Sequence, residues 1–212
     1  MYARFFKRVL DFLLSLMALS VLSPLLVILT VVGAVVMKGN PFFTQLRPGK
    51  KDKNGQEKIF CLIKFRTMTC EKDKDGNLLP DDQRLTQYGR FLRNTSLDEL
   101  PELLNILVGH MSIVGPRPLL VQYLDRYTEE QRHRHDVRPG LTGYAQVRGR
   151  NVVSWDEKFS MDVWYVRNIS FLGDIRIMLD TVRTVIRREG ISSGTSATME
   201  EFMGTADTVT ST

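Results

Sequence analysis

The sequence predicts a mainly helical α+β protein: an apolar N-terminal membrane segment, a short β-hairpin, and amphipathic helices lying at the membrane surface around a small cytoplasmic domain. Three observations predict it. Residues 9–37 are almost continuously apolar, whereas the chain after Lys38 reads as soluble protein. Residues 41–47 and 58–68 are alternating runs separated by a Gly/Asn-containing basic turn. From about Arg84 the pattern turns helical, with short helices broken by Gly and Pro. Three regions follow: a membrane segment over 1–38, a cytoplasmic domain with interfacial helices over 39–191, and a flexible tail over 192–212.

The apolar run is too long for a signal peptide and no small-residue cleavage site follows it. A single spanning helix fits its length. Ser23-Pro24, near its middle, argues for a kink or break, because Pro24 lacks an N–H and its ring clashes with the carbonyl four residues back. The Ser23 hydroxyl can take up a backbone group freed there. Each half is then roughly 21 Å long at 1.5 Å per residue, short of a crossing. Arg4, Lys7 and Arg8 precede the run, and Lys38, Arg47, Lys50, Lys51 and Lys53 follow it. Basic flanks at both ends favour a re-entrant helix–break–helix with both ends in the cytoplasm over a kinked span. Asp11, one turn inside the run, is read as pairing with Lys7 or Arg8 near the interface.

Residues 71–83 are charged and turn-rich and read as a loop. Over 174–189, Ile175, Met178, Leu179, Val182, Val185 and Ile186 form one apolar stripe, which suits either core packing or a helix in the headgroup plane. Trp164, Tyr165 and Phe171 just before it suit an interface. The Ser/Thr/Gly-rich tail offers Phe202 as a docking point. Cys61 and Cys70 have no metal-like spacing and read as free thiols, Cys61 as a small buried strand residue. His133 and His135 sit among basic neighbours, two apart, and read as surface residues rather than ligands. A formal net charge of +5 suits anionic lipid, phosphorylated substrates or nucleic acid, and the basic-flanked apolar segment selects the membrane. No nucleic-acid recognition motif is present.

The chemistry concentrates in Arg93-Asn-Thr-Ser-Leu-Asp-Glu-Leu-Pro-Glu-Leu-Leu-Asn105. Ser96 and Glu99 fit a capping box, and Pro101 fits a helix start, so a helix N-terminus alone would account for them. The same place can bind phosphate, and adjacent carboxylates at Asp98 and Glu99 can divide labour. One attacks phosphorus; the other holds a hard divalent ion, magnesium. Lys64, Arg66, Arg93, Arg117 between prolines, Arg138 in Arg-Pro-Gly, and Arg148 and Arg150 around Gly149 are candidate phosphate holders.

Taken in order, these motifs resemble the small monotopic phosphoglycosyl transferases of bacterial glycoconjugate assembly. The resemblance covers about Phe6 to Gly204. It is carried by Lys7-Arg-x-x-Asp11, Ser23-Pro24, Phe43-Thr-Gln-x-Arg-Pro-Gly49, Lys64-Phe-Arg-Thr-Met68, Ser96-Leu-Asp-Glu-Leu-Pro101, Val114-Gly-Pro-Arg-Pro-Leu119, Val137-Arg-Pro-Gly-Leu-Thr-Gly143 and Gly149-Arg-Asn151. It implies a re-entrant hairpin at the inner membrane with the catalytic domain on the cytoplasmic face. It implies a UDP-sugar donor of the diacetylated bacillosamine or a related N-acetylated type, and undecaprenyl phosphate as acceptor. Asp98 is implied as nucleophile and Glu99 as magnesium ligand. Phosphate groups are implied at Lys64, Arg93 and Arg117. Asn151 and the acidic residues Asp162 and Asp174 match family positions, the acidic pair with no assigned role. Other enzymes of the same glycan pathway are implied as partners. Arg148 stands where the most similar type carries Asn. The rival reading is a non-catalytic membrane-tethered binding module.

Overall fold

The computed structural model describes residues 1–149, 153–187 and 201–205. The chain opens with a π-helical turn, Tyr2–Phe6, that runs into one long helix, α1 (Lys7–Val36). Here the structure differs from expectation. Two shorter helices were expected either side of Ser23-Pro24, yet α1 continues through Pro24. The reason is local. Pro24 cannot donate to the Ser20 carbonyl, and the Ser23 hydroxyl donates to it instead at 2.8 Å. Ser20 and Thr30 bond back to carbonyls four residues earlier in the same way.

One face of α1 packs along the rest of the molecule. Ala18, Leu19 and Leu22 lie against the core of Phe60, Leu62, Leu103, Ile106 and Met111. Leu25, Leu26 and Leu29 join Phe65 and Leu92. The opposite face, including Val21, Val27, Ile28, Val31 and Val35, is exposed apolar surface. Polar contacts fasten both ends. Arg8 donates to the carbonyls of Ile106 and Leu107 at 2.7 and 2.8 Å, and Lys7 meets Asp174 at 2.5 Å. At the far end Tyr88 donates to the Leu29 carbonyl at 2.7 Å, and Gly33 lies against Tyr88 and Pro41. Asp11 is buried, and its partner is the Ile113 amide at 2.9 Å, in place of the expected Lys7 or Arg8, which have found other partners.

The hairpin forms as expected, with β1 (Phe42–Lys51) antiparallel to β2 (Glu57–Phe65). Cys61 faces outward on β2, exposed where burial was expected, because alternation turns Phe60 and Leu62 inward. After the loop come α2 (Asp81–Arg84), α3 (Gln87–Thr95) and α4 (Glu102–Val108). Gly89 on α3 is pressed against Thr67, whose carbonyl oxygen lies 1.9 Å from where a Cβ would sit. We expect Gly89→Ala to cost on the order of 3 kcal/mol or more, since backbone must move. An unfolding midpoint equal to wild type would contradict this close packing.

Two motifs distant in the sequence, Gly-Pro-Arg-Pro (115–118) and Arg-Pro-Gly (138–140), meet next. Strands β3 (Ser112–Val114) and β4 (Gly140–Thr142) run parallel, with Ser112 opposite Gly140 and Val114 opposite Thr142. Just beyond β3, Gly115 donates to the Thr142 carbonyl and Gly140 donates to Pro116, both at 2.9 Å. A Cβ on Gly140 would sit 2.1 Å from the Gly115 nitrogen, so glycine permits this backbone approach. Gly-Pro-Arg-Pro and Arg-Pro-Gly thereby become one rigid unit that aims Arg117.

The C-terminal part comprises α5 (Glu129–Arg132), α6 (Tyr144–Gly149), α7 (Trp155–Arg167) and α8 (Phe171–Arg187). The apolar stripe of α8 is divided: Met178 packs against the cluster of Val114, Tyr165 and Ile177. Leu179, Val182 and Val185 of its apolar stripe are exposed, while Ile177 and Asp174 face inward. Phe202 docks as expected, buried among Tyr123, Tyr127 and Phe159. His135 is a correction: it is buried against Glu57 at 3.3 Å, and burial and the nearby Arg134 hold its imidazole well below the usual range. His133 is exposed, as expected, and contacts Asp136.

Candidate active site

The acidic pair sits on a sharp change of direction. Helix α3 ends at Ser96, which adopts φ 54° in the left-handed region. The chain then makes a 3-10 turn over Leu97–Glu99 and starts α4 after Pro101. The capping box expected at Ser96 and Glu99 does not form, and Ser96 makes no side-chain cap bond. The Glu99 carboxylate goes elsewhere because charge-assisted bonds are stronger than a cap. Its Oε1 accepts from Arg117 at 2.6 Å and from Lys64 at 2.7 Å. Lys64, carried by β2, also reaches Glu102 at 3.0 Å. Three separate segments therefore converge on one carboxylate: strand β2, the Asp98-Glu99 turn, and the Gly-Pro-Arg-Pro loop.

Asp98 stands beside this cluster, half-buried. Burial raises its pKa, and the neighbouring Glu99 adds to the rise, while Lys64, Arg117 and Arg93 oppose it. Arg93, on α3, is held by Thr67 Oγ1 and the Met68 sulfur, each at 3.1 Å. Burial disfavours charge on Glu99 too, but Arg117 and Lys64 hold its carboxyl well below the usual range. Glu102 goes the other way. It is buried, its neighbour Glu99 repels its charge, and its pKa is pushed up to about 7.

That opposition gives a pH signature. The folded pKa of Glu102, about 7, lies above its ordinary 4.5. The folded state thus keeps a proton that the unfolded chain releases. The associated stability is complete below pH 4.5 and is lost as pH rises through about 7. We expect Glu102→Gln to flatten the fall in thermal midpoint across that window. An unchanged slope in a melting series would contradict it.

The remaining residues singled out in the sequence divide into distinct groups. The Arg66 guanidinium donates to the Cys70 sulfur at 3.7 Å. Arg138 donates to the Gly109 carbonyl at 2.8 Å, at the end of α4. Arg148 lies over the Tyr144 ring. Arg150 and Asn151 fall outside the described residues. Asp174 bonds Lys7 and the hydroxyls of Tyr2 and Tyr165, the last two at 2.7 Å, and so fastens α8 to the start of α1. Asp162 is buried and accepts from Arg134 at 2.7 and 3.1 Å.

Sequence reasoning missed Glu102 and Arg134. Glu102 is three residues after Glu99, a spacing that puts both on one helical face, and this could have flagged it. Arg134 lies in a basic run that reads as solvated surface, and nothing in that run marks it. It is in fact buried, and its guanidinium spans Asp162, the Tyr127 hydroxyl at 3.3 Å and the backbone carbonyl of Arg117 at 2.8 Å. It is a positioning residue: it holds the loop from which Arg117 reaches Glu99.

Asp98 and Glu99 supply adjacent hard oxygen donors with the cationic side chains of Lys64, Arg93 and Arg117 around them. Magnesium usually takes one or two protein carboxylates and completes its shell with phosphate oxygens and water, so this donor set fits it. Among the described residues no larger His/Cys/Asp/Glu cluster forms an all-protein cage.

A half-buried carboxylate pair thus sits among Lys64, Arg93 and Arg117, in a fold whose longest helix, α1, leaves an apolar face exposed. Residues 2–188 match the bacterial sugar transferase family, and the chain belongs to it. It is 50% identical over 203 residues to the sugar transferase EpsL of Bacillus subtilis, covering 95% of this chain and 97% of that protein. It is 38% identical to the undecaprenyl-phosphate galactose phosphotransferase of Salmonella typhimurium, covering 89% of this chain and 42% of that protein. It is 33% identical to the UDP-N-acetylgalactosamine-undecaprenyl-phosphate N-acetylgalactosaminephosphotransferase of Aeromonas hydrophila, covering 86% and 44% respectively. The chain thus spans less than half the length of these last two relatives.

Proposed function

We propose that this protein transfers a sugar-1-phosphate from a UDP-sugar to undecaprenyl phosphate, releasing UMP, through a covalent intermediate on Asp98. One observation carries the reading: the Asp98-Glu99 turn is the point on which Lys64, Arg93 and Arg117 converge. A carboxylate oxygen of Asp98 attacks the β-phosphorus of the donor. The bond from that phosphorus to the bridging oxygen breaks, and UMP leaves with the electron pair. An oxygen of the acceptor phosphate then attacks the same phosphorus, and the Asp98 carboxylate is released unchanged. Lys64, Arg93 and Arg117 neutralise the diphosphate oxygens as charge redistributes. Glu99 keeps Lys64 and Arg117 in place. Magnesium, held through Glu99 with Asp98 alongside, would add further positive charge at those oxygens.

The membrane arrangement that suits this reaction is re-entrant. A helix crossing the bilayer would drag the polar domain packed along its inner face into hydrocarbon, at a cost of several kcal/mol for each unsatisfied polar group. A helix that dips into one leaflet with its exposed apolar face outward avoids that, and both its ends stay with the same domain. Asp98 then works at headgroup level on the cytoplasmic face of the inner membrane, where the acceptor phosphate lies. The rival reading, a non-catalytic tethered module, rested on capping as the role of Ser96 and Glu99, and that capping bond is absent.

The test is UMP release from a panel of UDP-sugars in nanodiscs with magnesium and undecaprenyl phosphate. The panel includes galactose, glucose, N-acetylgalactosamine and diacetylated bacillosamine donors. Release that depends on the sugar establishes reaction and donor together. A folded protein that releases no UMP from any of them contradicts the reading.

A further inference from the structure

A second site stands at the other end of the hairpin. The turn between β1 and β2 and the end of α4 enclose an open cavity of about 570 Å³ lined by Lys50, Lys51, Lys53, Lys58, His110 and Arg138. Its acidic lining residue, Asp52, is committed to its own turn, with Oδ1 accepting the amides of Asn54 and Gln56. Lys51 pairs with Asp136. Lys50, Lys53 and Lys58 are exposed and have no ion-pair partner among the described residues. The cavity therefore carries uncompensated positive charge, which attracts an anion.

This is not the reacting phosphate's site. Lys58 and Lys64 are six residues apart on β2, roughly 20 Å at about 3.3 Å per residue, and Lys64 is the one that touches Glu99. Its position points to the membrane instead. Gly109 adopts φ 91°, and a Cβ there would lie 3.1 Å from the Arg8 guanidinium at the start of α1. The cavity thus opens beside the end of the apolar helix that meets the headgroups. Exposed apolar surface lies at and next to it: Ile59, which lines the cavity, is 44% exposed, and Val108, the chain neighbour of the lining residue Gly109, is 65% exposed. Charge inside with apolar surface at the mouth matches an amphipathic anion better than a soluble one.

We propose that this cavity binds the headgroup phosphate of an anionic phospholipid, with the acyl chains directed past Val108 and Ile59. The lysines then set how the domain sits against the bilayer, in addition to any role of α1. The inference rests on the membrane placement of α1 proposed above, but its test does not use turnover.

The full chain in detergent is titrated with short-chain phosphatidylglycerol, short-chain phosphatidylcholine or inorganic phosphate, and bound lipid is counted by native mass spectrometry. Wild type is expected to retain phosphatidylglycerol over phosphatidylcholine. Lys50→Glu/Lys53→Glu/Lys58→Glu is expected to weaken retention by on the order of a hundredfold or more, at roughly fivefold for each basic residue removed. The neutral triple glutamine variant is expected to lose less. Equal phosphatidylglycerol retention by wild type and the charge-reversed variant overturns the proposal. Displacement of the lipid by inorganic phosphate at equal concentration also overturns it, since the ligand would then be a soluble anion.

Discussion

Asp98→Asn is expected to abolish turnover while leaving the protein folded. Removing the nucleophile of a covalent mechanism typically costs on the order of 10⁴ to 10⁶ in kcat. Asparagine keeps the size and removes the attacking oxygen's charge. It also relieves the repulsion between Asp98 and Glu99, which burial makes worse. The variant should therefore melt at or above the wild-type temperature. That combination separates a chemical role from a structural one, because loss of activity through misfolding would lower the midpoint. Retained UMP release by Asp98→Asn would rule out the nucleophile assignment.

The largest expected effect on stability lies away from Asp98, at Arg134. Its guanidinium is 2% exposed and meets Asp162 at 2.7 Å. Arg134→Met leaves the Asp162 carboxylate buried without its cation, a change that typically costs about 3–5 kcal/mol. The Tyr127 hydroxyl and the Arg117 carbonyl lose a donor at the same time. Replacing both partners, as Arg134→Met/Asp162→Leu, is expected to recover most of that stability, because a paired apolar substitution leaves no orphaned charge. Activity should not return with it. Without Arg134 the Gly-Pro-Arg-Pro loop loses its anchor, and Arg117 loses its fixed approach to Glu99. Urea unfolding of the single and double variants, with kcat and KM for each, checks both halves. A single variant as stable as wild type would contradict the buried pairing.

Much of this site could be read from the chain because its parts lie in short motifs with strong local constraints. Asp98 and Glu99 are adjacent, prolines bracket Arg117, and Lys64 sits in an alternating run that had to be a strand. Their convergence was not visible. It depends on the parallel pairing of β3 with β4, strands of three residues each that carry almost no periodic signal. Glu102 and Arg134 were missed for a related reason. A charged residue reads as surface until the fold supplies a partner, and Asp162 lies 28 residues from Arg134. Two local readings were displaced by tertiary contacts. The Ser96 capping box lost Glu99 to Lys64 and Arg117, and Asp11 took the Ile113 amide once Lys7 and Arg8 were engaged elsewhere. Pro24 was expected to separate two helices, and a single hydroxyl at Ser23 keeps α1 continuous. Arg138 carried the right chemistry but sits at the end of α4, where its register in Arg-Pro-Gly places it.

A phosphorus–oxygen bond to Asp98 would be seen directly as a covalent adduct. The protein is mixed with its UDP-sugar and magnesium in the absence of polyprenyl phosphate, quenched in acid, digested and analysed by mass spectrometry. The expected result is a peptide containing Asp98 heavier by one sugar phosphate, formed together with UMP, absent from Asp98→Asn and discharged when polyprenyl phosphate is added. UMP that forms only when both substrates are present, with no adduct on Asp98, would mean direct transfer between them and would contradict the covalent mechanism.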